Sequence, residues 1–589
     1  MLTLMPHRYK TRPSSLFPVV KLRLFAALRD KLKEGYGFED FRSDLMAGLV
    51  VCMVAVPLGM ALAIASGVAP QYGLYTVVIG GGIVALLGGS RFQVTGPTAA
   101  FVVILFPVVQ KFGFAGLLIA GFIAGLMLLL MGLARMGRLI QFIPYPVTTG
   151  FTSGIAVVIA TLQLKDFFGL QVAEMPERYL EKVIALFQAS DTASLYELSV
   201  GAVTLAFLIL WPKFNKKVPA PLVALTFVSL IVVLVGHLFP DFEVATIGSR
   251  FSFEINGIKG RGIPQAPPLF DWPWNFIDSD GQAFVFSLDA MESIVPSAFA
   301  IALLGAIESL LSAVVADGMA RTKHDPDAEL VALGVGNILC PFFGGIPATG
   351  AIARTATNIR FGARSPLSAI IHAILTLFVI LLFAPYVSYL PMAALAALLI
   401  LVAYNMSELK HFVHILKVAP RSDTIVLLIC FSLTVMFDMV VGVTVGVMLA
   451  ALLFMRRMAE VTESHQLSNS SHPLTINKQI PHDVVLYEIE GPLFFGAAEK
   501  AAETLSDITD DIRGVIFLMN EVPAMDMTGL VAFESAIGKL RRGQRKICLV
   551  GLRTQPRELI QRAGIINGRK DILISDNIDN ALNLMADGT

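Results

Sequence analysis

Two stretches decide how this chain folds: Gly88–Phe101, "GGSRFQVTGPTAAF", and Gly344–Asn358, "GGIPATGAIARTATN". Each opens on a glycine pair, reaches a Thr-Gly, and leads into a segment too short to cross a bilayer, predicted at Val94–Val108 and Ala348–Ile359. Around them the 589-residue chain is 55% hydrophobic and 15% charged, with a mean hydropathy of +0.71. That is the composition of a polytopic helical membrane protein.

A window of about 20 apolar residues per crossing places the other spans on either side of these breaks. The first group adds Leu45–Gly67, Tyr72–Gly88, Ala115–Leu133, Pro146–Leu162, Leu198–Trp211 and Pro221–His237. After a polar stretch, Pro240–Leu288, the second adds Ser297–Asp317, Leu330–Phe343, Leu367–Phe383, Met392–Met406, Thr424–Phe437 and Val440–Phe454. The short segments stand third in each group of seven. Paired Gly/Pro-interrupted segments at equivalent positions mark inverted repeats with discontinuous helices at a binding site. The expected fold is therefore an all-α polytopic membrane domain, residues 44–457, with 14 transmembrane segments as 7+7 inverted repeats at about 44–239 and 290–457.

Charge supports the count. With the amino terminus inside, Arg135, Arg138, Lys213, Lys216, Lys217, Arg321, Lys323, Arg360, Arg364, Lys410, Lys417, Arg421, Arg456 and Arg457 all fall on the inner side. This is the positive-inside pattern, and an even number of spans puts both termini in the cytoplasm. Residues 1–43, basic and polar, read as a cytoplasmic segment and not as a cleaved signal. A formal net charge of zero gives no reason to expect a nucleic-acid partner. Cys52, Cys340, Cys430 and Cys548 lack metal-ligand spacing and read as small buried residues, so no cofactor or structural metal is expected from them.

Beyond Arg457 the pattern changes. Residues 458–482 read as a polar linker, and residues 483–589 as a small cytoplasmic α/β domain of alternating strands and helices, including a helix at Ala497–Ile508. It holds no P-loop, metal cluster or nucleophile arrangement, so an enzyme is not expected.

The breaks have a chemical meaning. A half-helix starting in mid-membrane presents unpaired N–H groups and a partial positive charge. Two such ends facing one another form a pocket for an anion. Here the ends are Thr95, Gly96, Pro97, Thr98 and Ala99 opposite Ala348, Thr349, Gly350 and Ala351. Glycine allows close approach, proline at a first turn gives up an N–H without a helical partner, and threonine hydroxyls can donate to the ligand's oxygens. Arg354 lies inside the second half-helix, where a charge needs a cavity or a partner such as Glu308. Glu308 reads either as that structural partner or as a coupling acid that takes up a proton on burial. Ser312 follows one turn later on the same face. Leu58, Met60 and Leu62, after Pro57, read as an apolar wall; Arg91 reads as structural; and His372 as a packed histidine.

The order of these features resembles the sulfate permease (SulP) family of anion transporters with a C-terminal STAS domain. "VPLGMALAIASGVAPQYGLYT", "GGSRFQVTGPTAAF", "ESLLSAVVADGMARTKHD", "NILCPFFGGIPATGAIARTATNIRFGARSPLS" and "AMDMTGLVAF" carry the likeness. Several of these runs look like the bacterial carriers of C4-dicarboxylates, and bicarbonate and sulfate carriers share much of the pattern. The resemblance implies two interlocked repeats, with spans one to four and eight to eleven forming a core and the rest a gate. It also implies a homodimer, elevator-like movement, and location in a bacterial inner membrane. It implies a basic residue at Arg354 that raises the potential of the anion pocket. Sodium-using bicarbonate carriers of the family have a second carboxylate near Ser312; its absence favours protons, although Glu308, Ser312 and Thr349 would be the ligands of a sodium ion. "PAMDMTGLVAF" is similar to the turn that carries a phosphorylated serine in anti-sigma-factor antagonists, but Met527 stands at that place. The domain therefore reads as a module for dimer support or for a cytoplasmic regulatory partner.

The function expected is ion-coupled symport of a small inorganic or carboxylate anion: bicarbonate, C4-dicarboxylate or sulfate. The alternatives are an anion channel, sensor or exchanger on the same scaffold, and a proton-coupled nucleobase carrier.

Overall fold

The computed structural model describes residues 24–138, 143–172, 175–176, 178–215, 218–239, 241–255, 258–276, 284, 287–437, 439–461, 463–467, 480–494, 512–566 and 571–586. Residues 1–23, Lys216, Lys217, most of the linker and the expected helix Ala497–Ile508 lie outside them.

Each of the fourteen expected spans coincides with a helix or with half of a broken one. Among the described residues ten helices are long and apolar enough to cross a membrane, including Phe38–Ala65, Pro70–Leu87, Tyr145–Phe168, Leu288–Ala320 and Leu367–Val387. Ala99–Leu133 carries two spans, because Gly113 at φ 69°, ψ −174° breaks it; only glycine adopts such a conformation without strain. Pro326–Leu339, Ile352–Arg360 and Arg421–Met436 are shorter. Three amphipathic helices, Ala26–Glu34, Tyr179–Gln188 and Leu409–Val418, were not expected. Nor was the hairpin that β2 (Ser252–Ile255) and β3 (Ile258–Arg261) form within the polar stretch.

Packing sorts these helices into two bundles. In one, Ala99–Leu133 lies against Pro326–Leu339 and Leu288–Ala320, and Phe38–Ala65 against Leu367–Val387. In the other, Tyr145–Phe168 lies against Met392–Met406 and Arg421–Met436. Glycine sets the approach. A Cβ on Gly125 would sit 2.6 Å from the Ile338 nitrogen, one on Gly334 2.5 Å from the Leu129 nitrogen, and one on Gly48 2.6 Å from the Ser368 carbonyl. Without a hydrophobic force between helices in lipid, small residues at the contact are what permit tight association.

The backbone divides the chain into two units, Met1–Val447 and Met448–Thr589. The second unit has a five-stranded sheet in the order β5 (Glu463–Leu467), β6 (Val484–Glu490), β7 (Gly514–Leu518), β8 (Lys546–Val550), β9 (Ile572–Ser575). β6 to β9 run parallel, in register Val484↔Gly514 and Gly514↔Lys546; β7 and β8 are buried on both faces, while β9 has Leu573 and Ile574 half-buried. Val485, Tyr487 and Ile489 pack with Phe533 on one side, and Val484 and Leu486 with Ile578 on the other. β5, antiparallel to β6, corrects the linker at residues 458–482. An edge strand is held by backbone hydrogen bonds, so its polar sequence gave no alternation to recognise.

Candidate functional site

The two motifs meet in the middle of the first unit. β1 (Thr95–Gly96) pairs antiparallel with β4 (Thr349–Gly350), Thr95 opposite Gly350 and Gly96 opposite Thr349. The Ala351 amide donates to the Val94 carbonyl at 2.9 Å. Beyond this crossing the chains run apart, into helices beginning at Ala99 and Ile352. The predicted starts at Val94 and Ala348 are thus corrected by about four residues. Those residues satisfy their backbone across the crossing instead of within a helix.

Neither helix is capped by a side chain: Thr98 and Ala351 hold the N-cap positions in extended conformation without a capping hydrogen bond. First-turn N–H groups therefore look into the space between the two ends. Thr95, Ala348 and Thr349 are sealed, at 0–1% exposure, while Thr98, Ala99 and Ala351 keep 7–9%. Those three are the less tightly sealed of the six. Pro97 lies ahead of the helix, not in its first turn, and its carbonyl accepts a hydrogen bond from Arg354 Nη2.

Arg354, 1% exposed, reaches from one half-helix to the other. A Cβ on Gly96 would lie 2.6 Å from its Nη1, so glycine is what admits the guanidinium. Nε and Nη1 have no partner, and no ion pair joins Arg354 to Glu308 within 4.0 Å. Glu308 keeps partial exposure and accepts a 2.8 Å hydrogen bond from Thr98 Oγ1. The structural pairing of Glu308 with Arg354 is therefore not what holds either residue.

The other predicted residues are placed as follows. Thr349 Oγ1 donates to the Gly305 carbonyl at 2.7 Å, and Ser312 Oγ to Thr355 Oγ1 at 3.1 Å. Of the three threonines, Thr95 alone has a hydroxyl without a partner. Leu58, Met60 and Leu62 are buried on either side of Gly59, whose Cβ position is 3.7 Å from Val77 Cγ2; that same methyl lies 3.3 Å from the Cβ position of Gly96. The helix carrying the leucines thus lies one residue's width from the crossing. Arg91 pairs with Glu34, which lowers that exposed carboxyl's pKa. His372 is buried with neither ring nitrogen bonded. It packs.

The sequence reading missed the groups behind the crossing. Glu329, 1% exposed, accepts from the Gly89 and Ser90 amides at 2.9 Å each and from Gln93 Nε2 at 2.8 Å. Asn337 holds Ala348 through both its backbone groups, at 2.8 and 2.9 Å. A carboxylate immediately before the expected span Leu330–Phe343 was the available signal, but an acidic residue at a helix start also reads as ordinary capping. In the second unit Asp526 caps the helix Met527–Arg542 by accepting from the Gly529 amide at 2.6 Å, and Met527 is exposed.

Residues 41–430 match the sequence model of the Sulfate permease family, and residues 475–581 that of the STAS domain. The chain is 43% identical to the Bacillus subtilis protein named "Putative sulfate transporter YvdB", over 91% of this chain and 96% of that one. It is 29% identical to the bicarbonate transporter BicA of Picosynechococcus, over 89% and 91% of the two chains. The solved transmembrane domain of a cyanobacterial BicA superposes with a TM-score of 0.58 at 28% identity, covering 71% of this chain and 98% of that one. The murine Slc26a9 anion transporter in its inward-facing state gives 0.82 at 18% identity, covering 98% and 97%, a likeness of fold.

Proposed function

Because the chain belongs to the sulfate permease family of membrane anion transporters, with a STAS domain, we propose that it is a secondary active transporter. It carries a small oxyanion, namely sulfate, bicarbonate or a C4-dicarboxylate, between the facing ends of its two half-helices. One observation carries this reading: Arg354 is fully buried between the two uncapped N-termini with Nε and Nη1 unpartnered. A buried charge with free donors is costly, and an anion in the adjoining space removes that cost. The relatives named as sulfate and bicarbonate transporters support the substrate class.

Thr98, Ala99 and Ala351 border the ligand, Thr95, Gly96, Ala348, Thr349 and Gly350 form the floor, and Leu58 and Leu62 stand behind it. Glu308, hydrogen-bonded to Thr98, is the coupling acid, because it touches the wall of the anion site and keeps contact with open space. Glu308 is the only carboxylate among Glu308, Ser312 and Thr349, which supports proton coupling over a sodium site. The two bundles are the core and gate of an elevator, working as a homodimer in the bacterial inner membrane with both termini in the cytoplasm.

The test is uptake of labelled sulfate, bicarbonate and fumarate into proteoliposomes, with pH and sodium varied separately, by wild type and Arg354→Gln. Saturable uptake of one anion, lost or weakened at least tenfold in the variant, is the expected result. An intact, wild-type affinity in Arg354→Gln would make the arginine structural and remove the reading.

A further inference from the structure

A cavity of about 840 Å³ opens at the end of the transport unit opposite Gly37, away from the half-helix crossing. It lies among the ends of Phe38–Ala65 and Tyr145–Phe168, the stretch of Ala99–Leu133 just ahead of its break at Gly113, and the segment at Arg250. Its polar wall is Gln110, Gln163, Lys165, Asp166 and Arg250. Arg250 Nη1 donates to Asp166 Oδ1 at 2.5 Å, with the arginine side chain 40% exposed. Lys165 is half-buried, donates to the Val172 carbonyl at 3.1 Å, and forms no ion pair among the described residues. Two cations thus face one carboxylate, and the described wall carries a net positive charge.

A second cavity adjoins this one. Phe106 and Leu162 line both it and a smaller cavity of about 50 Å³. The ammonium of Lys182, a residue only 6% exposed, stands 5.4 Å from the Phe106 ring centre. Phe106 lies seven residues, about 10 Å of helix rise, from the half-helix start at Ala99. Lys182, which lines the smaller cavity, thus adds a cation beside the Phe106 wall that the two cavities share. A cleft lined by one sign of charge with low-dielectric walls concentrates ligands of the other sign.

We propose that Lys165 and Arg250 form a loading site at which a small carboxylate or inorganic oxyanion binds first, displacing Asp166 from Arg250, before it passes Phe106. The inference rests on the anion-transport reading above. A purely structural Asp166–Arg250 latch would make loss of either partner equally harmful. A loading site predicts opposite signs, because Asp166 competes with the anion for Arg250.

The experiment is uptake of labelled sulfate, bicarbonate and fumarate by intact cells carrying wild type, Lys165→Gln, Lys165→Arg, Arg250→Gln or Asp166→Asn, each shown to be monodisperse in detergent. Lys165→Gln and Arg250→Gln should raise the external KM about three- to tenfold at unchanged maximal rate, more at low than at high salt. Asp166→Asn should lower KM, and Lys165→Arg should behave as wild type. If Arg250→Gln fails to fold, Lys165→Gln decides alone. A wild-type KM in Lys165→Gln, with uptake still dependent on Arg354, overturns the loading site and leaves the transport function standing. Wild-type cells that take up none of the three anions remove the function, and the loading site with it.

Discussion

Arg354 and Glu308 approach the same few residues from two sides: the arginine reaches the Pro97 carbonyl, and the glutamate the Thr98 hydroxyl. No ion pair within 4.0 Å joins the two, which is what the proposed roles require: an arginine for the anion and a carboxyl for the proton. Both stood out in the sequence because a charge inside a span needs a reason. The hydroxyls did not sort themselves. Thr95, Thr98 and Thr349 look alike in sequence, yet their partners are none, Glu308 and the Gly305 carbonyl; those partners stand 210 and 44 positions away, beyond the reach of a local pattern. Glu308→Gln keeps an acceptor for Thr98 and removes the titration. It should leave the protein folded and able to bind anion, while uptake stops responding to an imposed proton gradient. Gradient-driven accumulation at the wild-type level in Glu308→Gln would assign coupling elsewhere.

At the scale of elements, the discontinuity of the two short helices was legible from Gly, Pro and Thr spacing, and its β form was not. Val94–Thr98 is extended because Thr349 and Gly350 lie beside it, and the pairing of two-residue strands leaves no periodicity to read. The glycine pairs also mean something other than ligand approach. A Cβ on Gly89 would fall 2.2 Å from the Asp325 carbonyl, and one on Gly345 2.3 Å from Cys340 Sγ, so each pair lets the chain turn tightly against its neighbour. Glu329 then fastens the first turn by taking the Gly89 and Ser90 amides and Gln93. Glu329→Ala leaves three buried donors without an acceptor, at a cost of about 1–3 kcal/mol for such a group. The expected outcome is a lower melting temperature in detergent together with weaker anion binding. An unchanged melting temperature would show that water replaces the carboxylate and that the turn needs no fastening.

Across the whole molecule, the membrane spans were legible because lipid leaves one solution for the backbone, and the α/β unit because its strands and helices alternate. The edge strand Glu463–Leu467 and the amphipathic helices escaped, since pairing and burial on one side leave a polar sequence. Cys548 shows how far the second unit behaves as a folded core. It sits in β8 at 0% exposure, beside Ile516 and within the cluster of Leu486, Leu518 and Ile578. Burial pushes its thiol up to about 11. At pH 8 only about one thiol in a thousand is then thiolate, the form that reacts. In the full chain with Cys52, Cys340 and Cys430 changed to Ala, iodoacetamide should label Cys548 negligibly at pH 8 and fully once urea opens the unit. The linkage sign follows from the same shift. Between about pH 9 and 11 the unfolded thiol ionises while the folded one does not, so stability falls as pH rises through that window. The urea midpoint for labelling should accordingly drop between pH 8.5 and 10.5 and drop less in Cys548→Ser, followed there by tryptophan-independent far-UV circular dichroism. Rapid labelling of the native chain at pH 8 would mean that the sheet opens at β8, and that the buried core seen around Cys548 is not its resting state.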